Sequence, residues 1–388
     1  MTDTIPYGRQ DIDAEDIAAV EAVLRSDWLT QGPAVERFER CVADYVGAKF
    51  ACAVNSATSA LHLACRAVGL GPGDVLWTVP NTFVASANAA LYCGAAVDFV
   101  DIDPPTCNLS VAALAEKLAK AEREKRLPKA LVAVHFAGLS CDMAQIAELA
   151  RRYRFRVIED AAHAIGGDYQ GKKIGNCAYS DIAVFSFHPV KIITSAEGGM
   201  LVTNDPALHE AASLLRSHGV TRDPALMDRA AEGDWYYQQV DLGFNYRLTD
   251  VHAALGMSQM RRVDEFVARR RVLAERYDRL LAGLPVIAAP RDPKADSAWH
   301  LYVIQLDPQR TNKARKEVFD TMRRAQILVN VHYIPVHLQP YYQRFGFGAG
   351  DYPAAETYYE NAITLPLYTS MTDEQQDRVI AVLKDALA

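Results

Sequence analysis

The sequence predicts an α/β protein: a parallel or mixed sheet between helices, followed by a smaller α+β lobe. Over the first two-thirds, short apolar runs alternate with segments of helical period, and most of the runs lack polar alternation, as strands covered on both faces do. A proline-rich break from Gly283 to Pro293 then interrupts the pattern. At 388 residues, half of them hydrophobic, the chain can bury one large core and a smaller second one.

Phe50 to Val54 reads as a strand, and Ala57 to Val68, with Leu61, Leu63, Ala64 and Ala67 as apolar positions, as the helix after it. Val75 to Val79 is a second strand, Phe83 to Tyr92 a second helix and Ala96 to Val100 a third strand, a β-α-β-α-β rhythm. Ala130 to Phe136, Arg156 to Ile158, Ile182 to Phe187 and Met200 to Thr203 continue it. A long, Arg-rich helical pattern follows from about Leu248 to Leu281. Beyond the break come a strand at Leu301 to Leu306, a helix from about Asn312 to Ala325 and a last helix from Asp373 to Leu387. The expected division is a large domain over 1–260, with a connecting helix and small C-terminal domain over 261–388.

Lys+Arg 41 against Asp+Glu 48 gives a net charge of −7. That is no basic surplus for a phosphate backbone or an anionic membrane, so nucleic acid is not an expected partner. The N-terminus MTDTIPYGRQ lacks an apolar signal core, and no uncharged stretch reaches the ~18 residues of a bilayer span. The expected location is cytoplasmic. The seven cysteines, at 41, 52, 65, 93, 107, 141 and 177, are never spaced C-x-x-C, which suggests small core residues rather than disulfides or a zinc knuckle. There is no H-E-x-x-H, and His332 and His337 are separated by five positions with Pro335 between them, so no metal site is expected.

In open α/β sheets ligands bind at the carboxyl ends of the strands, and four polar segments follow apolar runs. Asn55-Ser56-Ala57-Thr58-Ser59 opens a helix whose free N–H groups would hold a phosphate, although Ser56 or Thr58 could equally be an ordinary N-cap. In Val157-Ile158-Glu159-Asp160-Ala161-Ala162-His163, a buried Asp160 needs a cation or hydrogen bonds, and a protonated pyridine nitrogen supplies both. Capping of a following helix would also explain it. In Ser186-Phe187-His188-Pro189-Val190-Lys191, an apolar strand runs into hydroxyl, imidazole and amine. A lysine in such a place can lose its proton at modest cost and attack an aldehyde, whereas most lysines are solvated surface residues. The fourth segment, Gly243-Phe244-Asn245-Tyr246-Arg247-Leu248-Thr249-Asp250, also suits a capped helix start. Ala196-Glu197-Gly198-Gly199 is a turn that would bring backbone close to a ligand.

Taken in order, these segments carry more than any one of them: a phosphate turn, Phe83 after the next strand, a strand-end Asp, and Ser-Phe-His-Pro-x-Lys ending 31 residues after that Asp. Together with Tyr7 and Leu29-Thr30-Gln31-Gly32, they resemble fold-type I pyridoxal-phosphate (PLP) enzymes, specifically the DegT/DnrJ/EryC1/StrS sugar aminotransferase family. The resemblance covers essentially the whole chain. It implies a large domain with a mostly parallel seven-stranded sheet and a smaller C-terminal α+β domain. It implies a PLP imine on Lys191, with Asp160 on the pyridine nitrogen and Phe83 stacked on the ring. It further implies Ala57, Thr58 and Ser186 at the phosphate, Asn245 reaching that phosphate from a neighbouring subunit of a homodimer, and His163 near the phenolic oxygen. Members with His in place of the lysine dehydrate or deoxygenate sugars, so Lys191 implies amination.

Within the family, residues 185–199 and 331–337 look most like the branch that makes pseudaminic acid precursors. That branch moves an amino group from glutamate to C4 of a UDP-linked 4-keto-6-deoxy-N-acetylhexosamine. By the same resemblance Tyr7, Asp27, Trp28, Leu29 and Thr30, with His332, Tyr333, Ile334 and Pro335, face the substrate. Other nucleotide-sugar C4 aminotransferases, of 4-amino-arabinose or perosamine type, are the nearest alternatives. A non-catalytic PLP-binding regulator would add a basic helix-turn-helix, which is not seen. An NAD-dependent oxidoreductase would need a Gly-rich strand-to-helix turn, yet Gly69-Leu70-Gly71-Pro72-Gly73 follows a helix and precedes a strand.

Overall fold

The computed structural model describes residues 4–388. Two helices come first, α1 (Ala14–Leu24) and α2 (Pro33–Val46), followed by β1 (Phe50–Val54), α3 (Ala57–Ala67), β2 (Val75–Thr78), α4 (Ala85–Tyr92) and β3 (Ala96–Phe99). Next are α5 (Val111–Glu124), β4 (Ala130–Val134), α6 (Met143–Tyr153), β5 (Arg156–Asp160), β6 (Ile182–Ser186), β7 (Gly199–Thr203) and α7 (Pro206–Arg216). The seven strands form one sheet in the order β1-β7-β6-β5-β4-β2-β3. Only β7 is reversed, pairing antiparallel with both β1 and β6, so this is the mostly parallel seven-stranded sheet the resemblance implies.

Every residue of β4, β6 and β7 is buried, which is why these strands read as unbroken apolar runs. On one face Phe38, Val42 and Val46 of α2 meet Phe185 of β6 and Met200 and Val202 of β7. Six of the seven cysteines are buried, Cys41 being intermediate, and none is in a disulfide.

The expected single helical pattern over 248–281 is two helices, α8 (Asp250–Met260) and α9 (Val263–Leu281). The chain turns at Arg261–Arg262, where the Arg262 guanidinium reaches Asp11 (3.1 Å), Asp13 (3.2 Å) and Asp16 (2.7 Å). These acids sit at the start of α1, so the turn ties the N-terminal helix down. A three-stranded antiparallel sheet follows, made of β8 (Val286–Ile287), β9 (Tyr302–Leu306) and β10 (Ala362–Leu365) in that order. With α9, α10 (Arg315–Arg324) and α11 (Asp373–Leu387) it encloses its own core around Tyr277, Ile304, Met322, Ile363 and Leu383. Ile5–Pro6 pairs in parallel with Ile327–Leu328 in a separate two-stranded sheet, so the chain start crosses to this smaller lobe. Among the described residues no helix is long and apolar enough to cross a membrane.

Helix α8 lies directly on α2 because Gly256 carries no side chain. A Cβ there would fall 2.6 Å from Cζ of Phe38, a ring with no exposed surface. Overpacking of this kind costs about 1–3 kcal/mol, against the about 1 kcal/mol that replacing a helical glycine by alanine returns. Gly256→Val should therefore lower the urea midpoint clearly and Gly256→Ala slightly. A more stable Gly256→Val protein would show that the two helices can move apart freely.

Candidate active site

The carboxyl ends of β5 and β6 and the N-terminus of α3 converge on one cavity of about 500 Å³. Strand β5 ends at Asp160 and β6 at Ser186, and both residues line it. Ser56 is the N-cap of α3, its hydroxyl accepting from Ser59 N–H. As first-turn positions, Ala57 and Thr58 have backbone N–H groups without intrahelical acceptors, and both residues border the cavity. Gly199 lets β7 pass beneath this turn: a Cβ there would lie 2.4 Å from the Ser56 carbonyl and 2.5 Å from Ala57 N.

Asp160 is 6% exposed. Its Oδ2 accepts from the Ser86 hydroxyl at 2.6 Å and its Oδ1 from Ala162 N–H at 3.2 Å, and it has no ion pair among the described residues. No helix follows it, so the capping explanation falls away. Its neighbour Glu159 points elsewhere, to His135 at 2.7 Å and Ser180 at 2.5 Å, as alternation along a strand requires.

Lys191 stands on the turn after β6, where its N–H donates to His188 O at 2.9 Å while Ser195 N–H and the Thr194 hydroxyl return to Phe187 O. Burial lowers its amine to about 8, against the opposing pull of Asp160. Lys191 is thus a wall of the cavity and not the solvated surface lysine of the alternative reading.

Four histidines line this space, His188 exposed and His163, His300 and His332 buried. His163 is held well below its ordinary value by burial and then by Lys191 and His332, and His332 falls to about 3 for the same first reason. His300 is likewise low, through burial and then the neighbouring His163. All three are neutral near pH 7. Nδ1 of His163 accepts from Ala137 N–H (3.3 Å), which leaves its Nε2–H facing the Tyr333 hydroxyl at 3.2 Å.

Of the residues the sequence pointed to, Tyr7, Ala57, Thr58, Phe83, Asp160, His163, Ser186, Lys191, His332 and Tyr333 line the cavity. Ile334 and Pro335 adjoin it in sequence but are not in its lining, and Ile334 is exposed. Asp27, Trp28, Leu29, Thr30 and Asn245 lie outside this chain's cavity and, like Phe83 at its mouth, are exposed. Sequence reasoning missed Ser86, which sits in the first turn of α4 and hydrogen-bonds Asp160. It also missed His300, which precedes a strand and so escapes a search of strand carboxyl ends.

The lining fits PLP. A buried carboxylate with no cation in salt-bridge contact among the described residues suits a protonated ring nitrogen, the free amides of α3 suit a phosphate, and a desolvated amine suits an aldehyde. The profile of the DegT/DnrJ/EryC1/StrS aminotransferase family matches residues 10–384. Among curated relatives, the spore coat polysaccharide biosynthesis protein SpsC of Bacillus subtilis is 40% identical over 385 residues, 98% of this chain and 96% of that protein. The UDP-4-amino-4,6-dideoxy-N-acetyl-beta-L-altrosamine transaminase of Campylobacter jejuni is 38% identical over 369 residues, 95% of this chain and 93% of that protein. Among solved structures, the PLP form of the putative sugar aminotransferase Spr1654 from Streptococcus pneumoniae superposes with a TM-score of 0.88 at 29% identity, covering 99% of this chain and 100% of that one.

The lowered amine gives a test on the cofactor-free protein. Capture of PLP by Lys191, followed by its yellow absorption and fixed by borohydride, should rise with pH to a midpoint at about 8. A midpoint near the ordinary 10.5 would mean a solvated amine. Because the folded-state value lies below the unfolded one, the unfolded chain binds more protons between those pH values. This amine should accordingly make the cofactor-free protein more stable as pH rises from about 8 toward 10.5.

Proposed function

The chain belongs to the DegT/DnrJ/EryC1/StrS aminotransferase family and is a PLP-dependent sugar aminotransferase, and from that premise we propose the following reaction. It transfers an amino group from L-glutamate to C4 of a UDP-linked 4-keto-6-deoxy-N-acetylhexosamine, giving UDP-4-amino-4,6-dideoxy-N-acetyl-β-L-altrosamine in pseudaminic acid biosynthesis. The observation that carries the chemistry is the pairing, in one cavity, of a desolvated amine with a buried, unpaired carboxylate. The choice of sugar is supported by the similarity to the Campylobacter jejuni transaminase over nearly the full length of both chains.

Bound PLP supplies an electron sink for the charge left when a donor loses its Cα proton. Asp160 would hold the ring nitrogen protonated, with Ser86 and Ala162 N–H fixing the carboxylate. Ala57, Thr58 and Ser186 would hold the phosphate, and Phe83 would cover the ring. The Nε2–H of His163, now facing Tyr333, is the donor available to the phenolic oxygen. Lys191 Nζ would anchor the cofactor through its aldehyde and, as an amine lowered to about 8 by burial, would be the group to hold or move the donor's Cα proton. Tyr7, His332 and Tyr333 would meet the sugar. Asn245, exposed and outside this chain's cavity, would serve the phosphate of a second subunit in a homodimer. The division into 1–260 and 261–388 then places the cofactor's anchors in the large domain.

A second reading, another nucleotide-sugar C4 aminotransferase, is favoured by the 40% identity to SpsC, a protein of spore coat polysaccharide synthesis. A few contacts read sugar stereochemistry, so one fold serves several sugars. Incubating the enzyme with glutamate and a panel of UDP- and dTDP-linked 4-keto sugars, then weighing the products by mass spectrometry, separates the two. Preferred amination of a 4-keto sugar lacking the N-acetyl group would overturn the first reading.

For the cofactor anchor, Lys191→Ala should remove the yellow band and all turnover while the fold survives. Asp160→Asn should keep PLP but slow the glutamate half-reaction at least 100-fold, because a pyridine nitrogen without its carboxylate is a weaker sink. Near-normal turnover in either variant refutes that residue's role.

A further inference from the structure

Arg270 lies in the middle of α9, 1% exposed. No carboxylate pairs with it among the described residues, and burial lowers its guanidinium only to about 10, so it remains a cation at neutral pH. A buried cation without a countercharge is costly unless hydrogen bonds replace the lost water. Here Nη1 donates to three carbonyl oxygens, of Trp299 (3.2 Å), His300 (3.3 Å) and Leu367 (3.1 Å).

These carbonyls belong to two segments, one entering β9 and one leaving β10, and each segment carries or supports a wall of the cavity. Leu367 N–H donates to Tyr7 O at 3.0 Å. On the other segment, the His300 ring lies 4.4 Å from that of His163. Ala298 N–H and Leu301 N–H, flanking it, donate to Gly138 O and Ala137 O, and Ala137 N–H in turn donates to His163 Nδ1. Gly138 permits this approach, since a Cβ there would lie 2.9 Å from both His163 O and Trp299 N.

We propose that Arg270 is a positioning residue of the active site, stapling the Tyr7 and His300 segments together and, through His300 and the Ala137–Gly138 turn, setting the orientation of His163. It touches neither substrate nor cofactor. The proposal rests on the aminotransferase reading and on glutamate as donor. The wild-type half-reaction, bleaching of the bound PLP band by glutamate, is therefore run alongside, and its absence would count against the donor and not against Arg270.

Three variants carry the test. In the cofactor-free protein, Arg270→Gln should speed hydrogen exchange at the amides of Ala298, Leu301 and Leu367. In the loaded protein it should lower the maximal half-reaction rate per cofactor at least ten-fold, with little change in the glutamate concentration giving half that rate. Arg270→Lys, which keeps a buried donor, should recover part of the loss. His300→Ala should lower the same maximal rate, and adding it to Arg270→Lys should cost less than the two separate losses multiplied together, as coupled residues do. A lowered melting temperature in Arg270→Gln with the rate per loaded site unchanged would reduce Arg270 to a stability role and overturn the proposal. If Arg270→Gln does not fold, an unchanged rate in both Arg270→Lys and His300→Ala overturns it equally.

Discussion

A carboxylate buried at the end of a central strand, with no cation in salt-bridge contact among the described residues, is the constraint around which the rest is arranged. Leaving an ionised group so placed costs several kcal/mol unless its lone pairs are satisfied. The chain provides one hydroxyl and one backbone amide, from Ser86 and Ala162, and no cation in salt-bridge contact. Ser86 can reach because α4 begins just after β2, the strand beyond β4 from β5, so the order β5-β4-β2 in the sheet is also a statement about the site. The remaining demand is for a positive group inside the cavity, and a protonated pyridine ring answers it. Lys191 feels the same carboxylate, whose pull partly offsets the burial that lowers its amine. Under the proposed reaction Asp160 would thus act on both the cofactor ring and the amine.

Much of this was legible in the sequence because of how the sheet is buried. Strands covered on both faces leave apolar runs, and the polar residues that end those runs are where ligands meet an open α/β sheet. Asp160, Ser186 and the Ser56-Ala57-Thr58 turn all follow that rule. The reversal of β7 was not legible, since an apolar run has no direction. Helix α1 was missed although Ile17, Val20 and Leu24 recur at helical spacing; the only residue it buries is Asp16, while Ile17 and Leu24 stay exposed. The break between α8 and α9 was missed because helical periodicity continues across it, while its partners, Asp11, Asp13 and Asp16, lie some 250 positions upstream. His300 escaped because it enters a strand of the smaller sheet, where the rule of carboxyl ends does not look.

The two sheets are not independent in function, although each has its own apolar core. The cavity takes Asp160, Ser186 and Lys191 from the large sheet and its loops, and His300, His332 and Tyr333 from the smaller lobe. Tyr7, also in the lining, follows a strand that pairs with Ile327–Leu328. Backbone hydrogen bonds, from Ala298 to Gly138 and from Val336 to Pro80, join the two sides without side chains. Such contacts fix separations to a fraction of an ångström, which is the tolerance that catalytic alignment demands.

The residues that do not reach this cavity follow a pattern of their own. Thr30 bridges Thr249, Asp250 N–H donates to Leu29 O, and the Asp250 carboxylate accepts from Gly32 and Ala34 N–H at 2.8 Å each. The segment 27–30 and the loop carrying Asn245 are therefore tied to one another, with Trp28, Leu29 and Leu242 exposed beside them. Sequence resemblance assigned these two segments to substrate and phosphate, yet both lie outside the cavity of their own chain. Movement within one chain would have to carry both together and break the cap that Asp250 provides for α2. A second copy, as proposed for the homodimer, would let both segments meet a neighbour's cavity while these bonds stay in place, and it would cover the exposed Trp28 and Leu29 in doing so.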